Sequence, residues 1–256
     1  MKVEVICFFN GKKQRALRRS GSLLLLASMF AAGAMAQNHP GSTTAVQDVQ
    51  KDTVAVNIRL LDGLLRIQPC ENNVARITYS PVQKIPNLAN PYLSTAPCAA
   101  TAFTVQDDAK AVTVRLADLT VEVSRSTGAV RFADAQGKEL LEESGFPQPR
   151  QVKPVVTDGE ATHRASVWFA LAQEEKLYGL GQHQNGILNQ RNLEMELSQD
   201  NTNISIPFFL SSKGYGVLWN NASVTRWNNR FQPVLNVSSN VADAIDYFFV
   251  DRKSVV

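Results

Sequence analysis

Between residues 53 and 250 the chain repeatedly alternates apolar and polar residues in short runs broken by turn residues, and that period of two constrains its fold more than any other feature. Thr53-Val-Ala-Val-Asn-Ile-Arg-Leu60 alternates, as do residues 74–79 and Ala111-Val-Thr-Val-Arg-Leu116, with β-branched side chains on one face and polar ones on the other. Leu119-Thr-Val-Glu-Val123, Ser126-Thr-Gly128 and Ala129-Val-Arg-Phe132 predict a hairpin, and Asp134-Ala-Gln-Gly137 turns the chain again. Further strands are expected at 164–171, 193–197, 204–210, 216–219 and 244–250. No segment sustains a helical period for long. An antiparallel β-sandwich is therefore expected, and about 200 residues of such sequence suit one large two-sheet domain.

The front end follows a different logic. Lys12, Lys13, Arg15, Arg18 and Arg19 precede an apolar run at residues 22–36, which ends in Ala34-Met-Ala36. The run is shorter than the roughly 20 residues that a membrane-spanning helix needs, so it reads as a secretory signal peptide cleaved near Ala36. No Cys follows it, so no lipid anchor is expected. Residues 1–36 carry six of the 26 Lys and Arg and one of the 23 Asp and Glu, leaving 20 against 22 and a net charge of −2 for the exported part. The excess positive charge belongs to the targeting segment, and no nucleic-acid partner is implied.

Cys7 leaves with the signal. Cys70 and Cys98 remain, and an exported chain can either join them or keep two thiols; spacing alone leaves both open. The three histidines, His39, His163 and His183, show no metal-ligand spacing with the cysteines.

The second half carries more specific motifs. Tyr178-Gly-Leu-Gly-Gln182, Gln199-Asp-Asn-Thr202, Ile206-Pro-Phe208 and Ser212-Lys-Gly-Tyr-Gly-Val-Leu-Trp-Asn220 follow one another at set spacing. In that order they resemble the end of the N-terminal domain in glycoside hydrolase family 31, the α-xylosidases and α-glucosidases. Departures are small: Asp200 stands in a stretch that usually reads Gln-x-Asn-Thr, and Asn221 stands where an Asp is frequent. The resemblance implies an all-β, galactose-mutarotase-like antiparallel β-sandwich that packs on a catalytic (β/α)8 barrel. Such a barrel needs about 250 residues of its own. The family nucleophile is an Asp in a Trp-x-Asp-Met-x-Glu type motif, and none of Met1, Met29, Met35 and Met195 follows an Asp. The resemblance therefore implies the non-catalytic N-terminal domain of a truncated, exported enzyme. That enzyme would hydrolyse terminal α-linked xylose or glucose from oligosaccharides, with retention through a covalent intermediate on a barrel aspartate. The motif forms look most like the α-xylosidases. No cofactor, metal or membrane span is implied.

The domain boundaries expected on this basis are a signal peptide at 1–36, a flexible mature N-terminus at 37–52 and the sandwich at 53–250. Residues 251–256, Asp-Arg-Lys-Ser-Val-Val, back-translate to GAT CGG AAG AGC GTC GTG, which resembles a sequencing adapter, and they read as a non-native tail.

Most motif residues read as structural. Gly179, Gly181, Gly214 and Gly216 suit turns or close backbone approach, and Pro207 suits a strand start or edge. Gln182 and His183 read as hydrogen-bonding structure, and Trp219 and Trp227 as core or interface aromatics rather than sugar platforms. The loop Gln199, Asp200, Asn201 and Thr202 has the best claim to substrate. In the family the corresponding loop borders the leaving-group subsite, and short polar side chains there can bond sugar hydroxyls; as a solvated turn it would instead be capped by Asp200 and Thr202. Two other functions use the same sandwich. A stand-alone aldose epimerase needs a His/Glu acid–base pair on an open sheet face, and a carbohydrate-binding module needs only a sugar site.

Overall fold

The structure is a computed structural model that describes residues 44–88, 91, 98, 101–144, 148–230 and 233–251. The described residues form β-strands, turns and irregular segments without helix. In chain order the strands are β1 (Val46–Lys51), β2 (Val56–Leu60), β3 (Gly63–Glu71), β4 (Val74–Ser80), β5 (Thr104–Asp107) and β6 (Ala111–Arg115). They continue as β7 (Leu119–Ser124), β8 (Val130–Asp134), β9 (Glu139–Glu143), β10 (Arg150–Thr157), β11 (Glu160–Ala170) and β12 (Leu177–Gln182). The last six are β13 (Glu194–Leu197), β14 (Ile204–Ser211), β15 (Tyr215–Trp219), β16 (Thr225–Asn228), β17 (Val234–Ser239) and β18 (Ile245–Asp251).

The strands form two antiparallel sheets. One runs β1-β2-β3-β4-β18-β15-β14-β12, the other β13-β16-β17-β11-β9-β8-β7-β6-β5, with β10 paired to β11 beside that path. Val56, Ile58 and Leu60 of β2, Ala75 and Ile77 of β4, and Val121 and Val123 of β7 are fully or nearly fully buried, so the alternation does place one face of each strand in a shared core. Aromatic rings span the gap between the sheets. Phe132 of β8 stacks on Phe249 of β18 at 3.9 Å, and Phe169 of β11 meets Tyr247 of β18 edge-on at 5.5 Å.

Three expected boundaries move. Within the segment 37–52, β1 occupies 46–51 and pairs antiparallel with β2 from Val46↔Leu60 to Lys51↔Val56, with a register shift between Val46 and Asp48. The strand expected from Thr53 starts at Val56 instead. Asp52 Oδ1 accepts the N–H groups of Val54 and Ala55, both at 2.7 Å, and this side-chain turn stops pairing until the chain has reversed. At the other end Asp251 closes β18 opposite Tyr215, is buried, and donates its N–H to Asn73 O at 2.9 Å, so the strand runs one residue past the expected limit. The signal segment 1–36 and residues 252–256 lie outside the described residues. Cys70 and Cys98 form a disulfide, which ties β3 to the segment before β5 across 28 residues.

A buried ion pair helps join the two sheets inside the core. Glu143 on β9 and Arg150 on β10 are both fully buried and ion-paired. Glu143 Oε2 also accepts the Val130 N–H at 2.9 Å, while Oε1 accepts the hydroxyl of Tyr247, from the opposite sheet, at 2.7 Å. Arg150 donates to Gly128 O at 2.6 Å and lies over the Tyr79 ring at 5.3 Å. Burial pushes the Glu143 carboxyl above its usual range, and the Arg150 charge works against that rise.

Removing the cation should therefore leave an uncompensated buried carboxylate. We expect Arg150→Met to lower the stability of the folded chain by about 3–5 kcal/mol and Tyr247→Phe by about 1.5–3 kcal/mol, measured by urea unfolding. The loss in Arg150→Met should be larger at pH 8 than at pH 5. A Glu143 pKa raised above its unfolded value favours the fold below that unfolded value, and the advantage disappears as pH rises through the folded pKa. Equal losses at both pH values would mean that Glu143 does not carry the effect.

Candidate functional site

The loop between β13 and β14 holds the residues with the strongest claim to ligand. Its side chains are largely committed to shaping the loop. The Gln199 amide donates to Ser205 O at 2.9 Å and accepts the Ser205 N–H at 3.2 Å, so it closes the loop base like a backbone pair. Asp200 and Asn203 bridge through their backbones, with both N–H to O distances 3.3 Å, and Asp200 Oδ1 accepts the Asn201 N–H at 2.7 Å. Asn201 and Thr202 sit exposed at the tip. Asn203 Oδ1 accepts the Gln184 N–H at 3.3 Å, which links this loop to the segment after β12.

A cleft of about 310 Å3 opens beside the loop base. Ser198, Gln199, Ser205, Ser223 and Thr225 give it a hydroxyl-rich wall, and Pro207 gives it an apolar one. Of the four loop residues singled out by sequence, Gln199 lines this cleft, and the others form the projecting turn above it. Ser223 and Thr225 were not legible as partners of Gln199. Thr225 opens β16 and Ser223 lies two residues before it, and the pairing of β16 with β13 sets Thr225 opposite Leu197.

The glycine motif explains how the neighbouring chain is aimed. Gly179, Leu180 and Gly181 all have positive φ, at 109°, 68° and 97°, and the β12–β14 register shifts there. A Cβ on Gly181 would lie 1.9 Å from Ile204 O, so no other residue fits without moving β14. The bulge turns Leu180 into the core, where it is 1% exposed. It also places the Leu180 carbonyl 2.7 Å from His183 Nε2, so the imidazole has a backbone partner. Gln182, by contrast, is exposed. Trp219 and Trp227 are buried: Trp219 Nε1 donates to Ser239 Oγ at 2.8 Å, and Trp227 packs edge-on against Phe209 at 4.9 Å. Both are core residues.

A buried carboxylate that the sequence did not flag supports this end of the sheet. Glu175 accepts the Ser211 hydroxyl at 2.5 Å and the Tyr215 hydroxyl on one oxygen, and the Ala172 N–H at 2.9 Å on the other. Burial, then the Glu175 charge, raises the Tyr215 phenol well above its ordinary range, so it stays protonated. Glu143 and Glu175 are thus buried and fully engaged. His183 bonds a carbonyl, and His163 lines a different cleft of about 320 Å3 with Asp243. Among the described residues no His/Glu pair is assembled on an open face, as an epimerase would require.

β14 carries apolar residues on both faces. Pro207 and Phe209 point inward and are buried, whereas Ile204 and Ile206, on the other face, are 55% and 46% exposed, and Phe208 and Leu210 continue that outer row. A strand patterned this way suits burial on two sides. The polar loop leads directly into it.

Two antiparallel sheets, with a glycine bulge in β12 and a polar loop after β13, thus frame the candidate site. The family model for the glycosyl hydrolase 31 N-terminal galactose mutarotase-like domain matches residues 64–228, and the chain belongs to that family. An uncharacterized family 31 glucosidase (ORF2) of Pseudescherichia vulneris is 27% identical over 230 residues, covering 79% of this chain and 41% of that protein. An α-xylosidase of Saccharolobus solfataricus is 34% identical over 146 residues, covering 54% of this chain and 19% of that protein. The chain thus spans less than half the length of either relative. The crystal structure of a GH31 α-xylosidase from a soil metagenome, complexed with xylose, shares the fold with a TM-score of 0.71 at 23% identity, over 81% of this chain and 33% of that one.

The bulge gives a direct test of this account. Gly181→Ala should destabilise the domain by roughly 3 kcal/mol or more, because the new Cβ meets β14 backbone. Gly137→Ala, also at positive φ but with open space around its Cβ position, should cost only about 1–2 kcal/mol. Thermal unfolding that ranks the two equally would show that left-handed backbone alone, and not contact with β14, accounts for the glycine.

Proposed function

We propose that this domain serves an exported family 31 glycosidase that removes terminal α-linked xylose, or glucose, from oligosaccharides. The catalytic aspartates would lie on a (β/α)8 barrel carried by a continuation of the chain. The observation that carries the reading is β14, which carries apolar residues on both faces and is entered directly from the polar loop 198–203. If the barrel covers Ile204, Ile206, Phe208 and Leu210, the turn at Asp200 reaches the barrel rim, where its exposed polar groups can meet the sugar in the leaving-group subsite. Gln199 holds the loop base, and Asp200 and Asn201 supply acceptors and donors for hydroxyls. The preference for xylose rests on the form of the sequence motifs and on likeness to an α-xylosidase.

The chain matches the N-terminal domain of the family, and the paired carboxylates of a retaining glycosidase are expected on the barrel. The chain alone should show no turnover of aryl α-xylosides or α-glucosides above a vector-only control. In a chain continued into the barrel, Asp200→Ala should weaken catalysis on oligosaccharides by about 1–3 kcal/mol, the value of one or two sugar hydrogen bonds. Hydrolysis of an aryl α-xyloside, which has no sugar in the leaving-group subsite, should change little. Loss on both substrates alike would reduce the loop to a structural turn.

Export is part of the same reading. Residues 1–36 would direct secretion, and the Cys70–Cys98 disulfide suits the oxidising compartment that lies beyond the membrane. N-terminal sequencing of periplasmic material should begin at Gln37. Recovery of the intact amino terminus from cytoplasm, with both cysteines reactive to maleimide, would refute export.

A further inference from the structure

A second cleft, of about 440 Å3, lies far along the first sheet from the loop, over the outer face of β1, β2 and β3. The strand register builds it as two cross-strand rows. Gln50, Asn57 and Arg66 form one, because Gln50 pairs with Asn57 and Asn57 with Arg66; Asp48, Arg59 and Leu64 form the other. Gln83 closes one side and is fixed in place, its amide donating to Gly63 O at 3.0 Å and Leu60 O at 3.3 Å.

The chemistry of these rows is particular. Every polar side chain is a planar amide, carboxylate or guanidinium, the groups that grip vicinal hydroxyls with two parallel bonds. They hold one another in place: Arg66 Nη1 donates to Asn57 Oδ1 at 3.0 Å, Asn57 Nδ2 to Asp52 Oδ2 at 3.3 Å, and Gln50 Nε2 to Asp48 Oδ2 at 3.1 Å. Such pre-arrangement lowers the entropy lost when a ligand binds. Arg59, exposed between Asp48 and Leu64, donates no side-chain hydrogen bond among the described residues, so its fork is open to a ligand. Leu64 and Ile85 supply an apolar floor for C–H faces. Charge decides between ligand classes. The lining holds Asp48 against Arg59 and Arg66, and Asp52, outside the lining, lies 3.7 Å from Arg66 and offsets its charge, which weakens the field for a phosphate or uronate.

We propose that this cleft is a second carbohydrate site, which binds a neutral oligosaccharide segment away from the catalytic centre and keeps polymeric substrate near the enzyme. The inference rests on the carbohydrate-active reading above. Its volume falls within the range of small-ligand sites, about 300–1,000 Å3.

Backbone amide NMR of the exported domain, titrated with xyloglucan heptasaccharide, maltoheptaose and oligogalacturonate, provides the test. Saturable shifts with a neutral probe, centred on residues 48–50, 57–59 and 64–66, are expected. Arg59→Ala should weaken that affinity by about tenfold or more, and Arg59→Lys, which keeps the charge and loses the fork, should weaken it as well. Because Arg59 is exposed, an unchanged spectrum elsewhere will show that both variants are folded. Shifts centred on residues 198–205 instead would overturn the cleft while leaving the glycosidase reading intact. Binding of oligogalacturonate alone would overturn the neutral class, and no shift with any probe at millimolar concentration would overturn the site.

Discussion

A buried carboxylate ties the two sheets to each other across the apolar core. Glu143 takes bonds from Arg150 and the Val130 N–H within its own sheet and from Tyr247 across the core, so three strands and both layers converge on one side chain. An ion pair with no solvent contact gives little net stability against an apolar equivalent, since desolvating both charges offsets most of their attraction. Its value lies in direction. Apolar contacts such as Phe132 on Phe249 would tolerate sliding of one sheet over the other, whereas the Tyr247 hydroxyl reaches Glu143 in one register only.

That fixed relation matters at the far end of the sandwich. β18 carries Tyr247 inward and pairs with β15, which pairs with β14, so the Glu143 contact sets the position of the strand that follows the candidate loop. Glu175 repeats the device nearer the site, holding Tyr215 of β15 and Ser211 of β14 to the chain before β12. The bulge at Gly179 to Gly181 then lets β12 close on β14 despite the register change. The loop at 198–203 thus stands on a rigid base although it is itself a polar turn.

The sequence made the sandwich legible where alternation was clean. β2, β4, β6, β7, β8, β14 and β18 all lie within a few residues of their expected places, because one buried face per strand leaves a direct mark of period two. β12 was hidden, since three consecutive residues at positive φ read as a turn rather than a strand. β9 was hidden for another reason. Its pairing with β8 shifts register at Phe132/Ala133, so Leu140 and Leu141 are both buried and the phase of alternation breaks. That same shift puts Glu143 in the core and leaves Glu142 half-buried, a distinction that two adjacent glutamates cannot announce. At the site, the loop was legible as polar sequence. Ser223 and Thr225, which line the same cleft as Gln199, were not, because their place beside it depends on the pairing of strands distant in sequence.

Among the described residues the buried carboxylates Glu143 and Glu175 serve as hydrogen-bond acceptors inside the sandwich. A general acid or base must be open to substrate and free to exchange its proton near neutral pH. Glu143 and Glu175 are not open to substrate, since each is enclosed and hydrogen-bonded by donors, and His183 bonds a backbone carbonyl. The candidate loop offers amide, carboxylate and hydroxyl groups at the surface, and the cleft over β1 to β3 offers amide, carboxylate and guanidinium groups. Such groups recognise hydroxyls. They occur in two places on the sandwich: at the loop beside β14, where a catalytic partner would pack, and over β1 to β3, where the sheet face is open. An enzyme that acts on chain ends of a polymer can use both, one contact to orient the residue being released and another to hold the remainder.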